Sequence, residues 1–141
     1  MQEQRDDIFV VATCNDLTVL PPELQRKGRF DEVFFVDLPT PPERAAIFAT
    51  QLALRRQTRE RFDLRPLVTA SEGFSGAEIE QVVVAGLLRA LHAGRTPDTG
   101  AVLQELSATV PLSRSRPDAI ASLRARAREF VPASEAAVAA A

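Results

Sequence analysis

Thiols and imidazoles are nearly absent from this chain, which has a single cysteine, Cys14, and a single histidine, His92. One thiol excludes an internal disulfide and a cysteine-based metal cage, and that composition fits a reducing compartment. Cys14 has no histidine or lysine close in sequence to activate it, so it is expected as a small buried apolar group. His92 has no second histidine to join it and reads as a surface or capping residue rather than a metal ligand. An excess of one charge is also missing: 17 basic and 19 acidic residues leave a net charge of −2. They are scattered in short mixtures, which offers no basic face to nucleic acid or an anionic membrane. No apolar run approaches membrane-spanning length, and the opening MQEQRDD lacks the basic patch and apolar stretch of a signal peptide. Neither export nor membrane anchoring is expected from this reading, and cytoplasm is the expected compartment. Lysine occurs only at Lys27. The arginine and alanine bias is what a GC-rich genome produces without any demand for phosphate binding.

With 141 residues the chain can bury one respectable core. The run Ile8 to Thr13 (IFVVAT) is short, continuous and β-branched, and predicts a buried parallel strand. Asn15 and Asp16 form a polar turn, and Pro22 starts a brief helical turn reaching Gln25. Val33 to Asp37 (VFFVD) predicts a second apolar strand, stopped by Pro39 and the prolines at 41 and 42. After Pro42 the apolar spacing becomes helical. Thr40 is the expected N-cap of a helix burying Ile47, Phe48, Leu52 and Leu54. Asp63 caps a short helix with Leu64, Leu67 and Val68, ended at Glu72-Gly73. Ser75 and Glu78 make a capping box, S-x-x-E, for the best-defined helix, whose stripe is Ile79, Val82, Val83, Leu87 and Leu91, closed by Gly94. Val102, Leu103 and Leu106 predict a further short helix broken by Pro111. A last helix from Pro117 is expected to bury Ile120, Leu123 and Phe130. The alanine-rich end is expected to fray.

The residues with chemistry in them come in a fixed order. Asn15 follows a strand at its carboxyl end, the edge where ligands of open α/β sheets bind, and an amide there can orient water beside a phosphate. Arg26 and Arg29 stand three positions apart in LPPELQRKGRFDEVFFVDLP. Guanidinium is a planar, permanently charged fork suited to oxygens that gain charge in phosphoryl transfer. Glu23, Asp31 and Glu32 could instead satisfy such a pair at a solvated surface.

The order strand, Asn-Asp, Pro-Pro-Glu-Leu, Arg-x-x-Arg-Phe-Asp, strand, Leu-Pro resembles the AAA family of ATPases from its first sensor through its arginine fingers. GFSGAEIE, from Gly73 to Glu80, resembles that family's second-sensor segment. With TVPLSRSRPDAIASLRARAREFVPAS added, the resemblance extends to a poorly characterised branch from bacteria, cyanobacteria and algal plastids. It implies that Asn15 acts within its own subunit, that Arg26 and Arg29 reach the neighbouring subunit's nucleotide, and that Gly76 and Ala77 lie against adenine and ribose. An arginine finger is worth on the order of a thousandfold or more in rate. Ala77, Glu78 and Glu80 stand where some relatives place a second-sensor arginine, so none is assigned.

The implied fold is an α/β P-loop NTPase fragment followed by an all-α AAA lid, mainly α for the chain by itself. The implied domains are residues 1–41 as part of the nucleotide-binding core, 42–131 as the helical lid and 132–141 as a frayed tail. Implied partners are a homo-oligomeric ring, hexameric in the family, and a protein substrate of unspecified identity, with neither nucleic acid nor membrane. ATP and Mg2+ belong to the longer assembly. This sequence contains no G-x-x-x-x-G-K-[ST], and VFFVDL ends in leucine where a magnesium-binding strand would end in two acids. Asp37 therefore reads as the residue closing its strand. No metal ligand is assigned, and tight nucleotide binding and hydrolysis are not expected of the chain alone. Met1 falls where the family has internal sequence, which points to a truncated product. Two other readings remain: a non-enzymatic module that lends fingers to complete AAA subunits, and the product of a decayed gene. The two strands would flank a gap in the family's sheet, so the residues before Pro42 need a partner or stay irregular.

Overall fold

The computed structural model describes residues 9–14, 21, 31–127 and 130–133. It divides into two compact units, Met1–Val33 and Phe34–Ala141. In the first, residues 9–14 carry no regular structure, and Phe9, Val10 and Val11 are exposed. The buried strand expected over Ile8 to Thr13 is therefore corrected. A strand persists only when a neighbour takes up its amides and carbonyls, and none of the described residues does so here. Cys14, expected to be buried, is exposed as well.

The second unit opens with β1 (Phe34–Phe35), shorter than the strand predicted over Val33 to Asp37. A proline-initiated helix follows, α1 (Pro41–Leu54). Its Thr40–Glu43 capping box closes with the Glu43 carboxylate accepting from the Thr40 amide at 2.7 Å and from its hydroxyl at 2.8 Å. A 3-10 turn (Arg59–Arg61) leads to α2 (Leu64–Ala70), capped by Asp63, whose carboxylate accepts the Arg65 amide at 3.0 Å. Then come α3 (Gly76–His92), α4 (Thr99–Ala108), the single turn α5 (Leu112–Ser115), α6 (Pro117–Ala127) and β2 (Val131–Pro132). Among the described residues the architecture is thus mainly helical with one small parallel sheet, β1 beside β2, in the register Phe34 to Val131 and Phe35 to Pro132.

One core joins α1 to α4. Phe48 and Leu52 from α1, Phe62 and Leu67 from the α2 region, Phe74 before α3, Ile79, Val82, Val83 and Leu87 from α3, and Val102 and Leu106 from α4 form a continuous buried cluster. Each fully buried side chain of this size stabilises the fold by about 1.5–3 kcal/mol. Leu54 and Leu91, expected on the buried faces, are exposed. Gly73, at φ +82°, turns the chain out of α2 into α3, a left-handed conformation that side chains resist. Arg44 is buried and works as a three-pronged tie: its guanidinium donates to the Pro39 carbonyl at 2.9 Å and to the Val68 carbonyl at 3.1 and 3.3 Å. It fixes the start of α1 to the last turn of α2, where orphan carbonyls need donors.

At the α3–α4 seam Arg89 Nε lies 2.6 Å from Oε1 of the buried Glu105. That oxygen makes no aligned hydrogen bond, so the pair compensates its charge without satisfying its geometry. The outer helix α6 is packed less deeply. Ile120 and Leu123 are half-buried, and Phe130, expected within the last helix, lies beyond its end, also half-buried. Pro132, expected in a frayed tail, is paired in β2.

Candidate functional site

The segment leading into α3 is the one sequence-predicted site whose residues are described. Asn15, Arg26 and Arg29 lie outside the described residues, while Gly76 and Ala77 form the first turn of α3. Three features hold that turn. Phe74, almost wholly buried, anchors the approach, and its amide donates to the Ser71 carbonyl at 3.1 Å. Ser75 then caps the helix, its hydroxyl accepting the Glu78 amide at 3.3 Å. Glu78 completes the box with one carboxylate oxygen, which accepts from the Ser75 amide and hydroxyl, both at 2.8 Å.

The other oxygen of Glu78 leaves the helix altogether and accepts the Leu112 amide at 2.7 Å. Next to it the Ser113 hydroxyl donates to the Gly73 carbonyl at 2.6 Å. The turn before α3 is thereby pinned to α5, about 40 positions later in the chain. Burial pulls the Glu78 pKa upward. Hydrogen bonds from the Ser75 and Leu112 amides and from the Ser75 hydroxyl outweigh that and hold the carboxyl below the usual glutamate range. The group is an anion fixed by three donors and has little basicity to offer a reaction. Its part is to position the turn.

Gly76 and Ala77 differ in what surrounds them. Gly76 is half-buried, and a β-carbon there would meet only Ile47 Cδ1, at an ordinary 3.6 Å. Internal packing therefore does not require glycine at this position, although glycine costs a helix about 1 kcal/mol relative to alanine. Ala77 is exposed and continues into an open groove along the outer face of α3, lined by Glu80, Gln81, Val84, Ala85 and Leu88. Small residues on a rigidly capped turn allow a flat apolar group to approach the backbone closely. Among the described residues no group of three or more histidine, cysteine, aspartate or glutamate side chains could hold a metal ion, and no helix is long and apolar enough to cross a membrane.

Sequence reasoning found the box but not its tertiary partners. Nothing local marks Leu112 or Ser113 as partners of the α3 turn. Asp37, read as closing its strand, does more: its carboxylate, 5% exposed, accepts the Leu38 amide at 2.7 Å and faces Arg124 Nε at 2.9 and 3.1 Å. The connector between β1 and α1 is thus held from both ends, by Arg124 at Asp37 and by Arg44 at Pro39.

No protein-family model matches the chain, and no solved structure matches it. Curated relatives do. The chain is 42% identical over 114 residues to the uncharacterized AAA domain-containing protein ycf46 of Guillardia theta, a match covering 80% of this chain and 22% of that protein. It is 38% identical over 126 residues to the protein of the same name from Pyropia yezoensis, covering 89% of this chain and 26% of the relative. A proteasome-activating nucleotidase of Saccharolobus islandicus is 36% identical over 94 residues, 67% of this chain and 24% of the nucleotidase. The chain spans about a quarter of the length of these relatives.

Proposed function

The chain belongs to the AAA family of ATPases, and we propose that it serves ATP hydrolysis in a ring of subunits. It would contribute the first sensor, the arginine fingers and the nucleotide-facing lid. In this reading residues 1–41 are part of the nucleotide-binding core, 42–131 the helical lid and 132–141 a tail. The observation that carries the proposal is the order of parts along the sequence, Asn15, then Arg26 and Arg29, then a strand, then the capped turn at Gly76 and Ala77, in a chain 38–42% identical to AAA domain-containing relatives. Supporting it, β1 has an unpaired edge among the described residues, and Phe34 within it and Val36 just after it are exposed. That is what one strand of a larger sheet leaves uncovered.

Bound ATP with Mg2+ supplies the phosphoryl group that is transferred to water. The chain's own residues then have separate tasks. Asn15 orients water in its own subunit, and Arg26 and Arg29 place guanidinium forks on the oxygens of the neighbouring subunit's nucleotide. Gly76 and Ala77 give the base and ribose a flat bed held rigid by Glu78. In this reading the ring works in the cytoplasm on a protein substrate; one relative is named a proteasome-activating nucleotidase.

The test uses the full-length protein. Arg29→Ala should leave ATP affinity within a few-fold of wild type and lower hydrolysis by on the order of a thousandfold. Mixed with subunits whose own phosphate loop is disabled, the variant should regain activity, because those subunits still donate Arg29 across the interface. A wild-type rate in the single variant, or no recovery on mixing, refutes fingers acting in trans.

A further inference from the structure

The polypeptide leaves β1, builds the helical body α1–α4, and comes back. After α5 the chain runs through α6 and returns beside its own starting strand, where β2 pairs with β1 in parallel and the Ala133 amide donates to the Phe35 carbonyl at 2.9 Å. On the way Arg124 of α6 reaches Asp37, and the pair spans 87 positions of sequence. We propose that α6 and β2 form a strap that latches the β1–α1 connector through the Asp37–Arg124 ion pair. The strap thereby sets the angle at which the helical body leaves β1.

Three features support a strap rather than a further layer of core. First, α6 is held weakly by apolar burial. Ile120 and Leu123 are only half-buried, and an open groove lined by Leu38, Ser113, Pro117, Ile120, Ala121 and Arg124 remains between the helix and the connector. The polar latch and the strand pairing therefore carry a large share of the attachment. Second, the latch is asymmetric: the Asp37 side chain is 5% exposed and that of Arg124 46%. Arg124 can swing into water at little cost, whereas a shielded Asp37 left alone keeps, among the described residues, its bond from the Leu38 amide. Third, β2 is built as an end piece. Backbone N–H groups alternate sides along a strand, so with the Ala133 amide turned toward β1 the missing N–H of Pro132 falls on the outer side. There it removes the donor that another strand would need.

The strap follows from contacts within residues 34–133 and does not depend on the nucleotide reading. The experiment is amide hydrogen exchange on the whole protein, following Ala133 against buried amides of α1 and α3 at Phe48, Ile79 and Val83. Arg124→Ala and Asp37→Asn should each lower Ala133 protection by roughly tenfold or more, leave the helical amides unchanged, and produce no further loss when combined. Unchanged protection at Ala133 in either variant overturns the latch. Losses that add in the double variant overturn it too, since the two residues would then act apart.

Discussion

Gly86 of α3 lets the Ala101 carbonyl of α4 approach so closely that a β-carbon on Gly86 would sit 2.9 Å from the oxygen and 3.0 Å from Val102 Cα. Both neighbours are backbone, so neither can swing aside. Gly86→Ala would gain about 1 kcal/mol in helix propensity and lose about 1–3 kcal/mol or more to overpacking. The clash should win because relief requires moving a whole helix. Thermal unfolding is expected to show a lower midpoint than wild type. A midpoint raised by the substitution would mean that α3 and α4 are not in this contact.

Glu78 makes a sharper test because its two oxygens serve different elements. Both accept, from Ser75 and from Leu112, so a glutamine must turn an NH2 toward one set of donors. Glu78→Gln should cost about 1 kcal/mol at neutral pH, the usual worth of a lost cap. The pH dependence has a definite sign. The folded-state pKa is lowered, so the carboxylate's contribution is fully present above the unfolded value of about 4.3. It is lost as pH falls through the lower folded value. Denaturant titrations of wild type and variant should therefore differ at pH 7 and converge in acid. A gap that stays constant down to pH 3 would remove the charge from the account.

Arg44 should be the least replaceable charged residue in the helical body. Arg44→Leu keeps the apolar stem and deletes donors to Pro39 and Val68, with Ser71 Oγ left as the other donor to Val68 at 3.2 Å. Hydrogen bonds from a charged donor contribute about 1.5–3 kcal/mol, so a loss near 2 kcal/mol is expected in urea unfolding. Arg44→Lys should fall between the two, since an ammonium cannot fork to both carbonyls. Equal stability of Lys and Arg would show that charge alone matters.

What could be read from sequence follows how local each feature is. The caps at Thr40, Asp63 and Ser75 involve partners two or three positions away, and so were legible. Leu91 was misplaced for a geometric reason. Steps of four along a helix drift by roughly 40° each, so Ile79, Val83, Leu87 and Leu91 wind around α3, and Ala90 continues the buried face instead. The apolar run at residues 9–13 has strand character in its composition, but pairing is decided by neighbours that a local window does not contain. Asp37 and Arg124, or Glu78 and Leu112, meet only through the fold. At the candidate site the small residues were legible as a pattern and their pinning to α5 was not.

Gly76 separates stability from function most cleanly. Its missing side chain leaves room for a β-carbon 3.6 Å from Ile47 Cδ1, so Gly76→Ala should unfold at the wild-type denaturant midpoint or slightly above it. The gain would be at most about 1 kcal/mol in helix propensity. If the glycine is there to admit adenine and ribose, the same substitution in the full-length protein should raise the KM for ATP several-fold. Gly76→Val should raise it further and also lose stability against Ile47. Arg29→Ala should provide the contrast, lowering kcat while leaving nucleotide affinity within a few-fold of wild type. A Gly76→Ala protein with both unchanged stability and unchanged KM would place the nucleotide away from the start of α3, leaving the capped turn with a structural role alone.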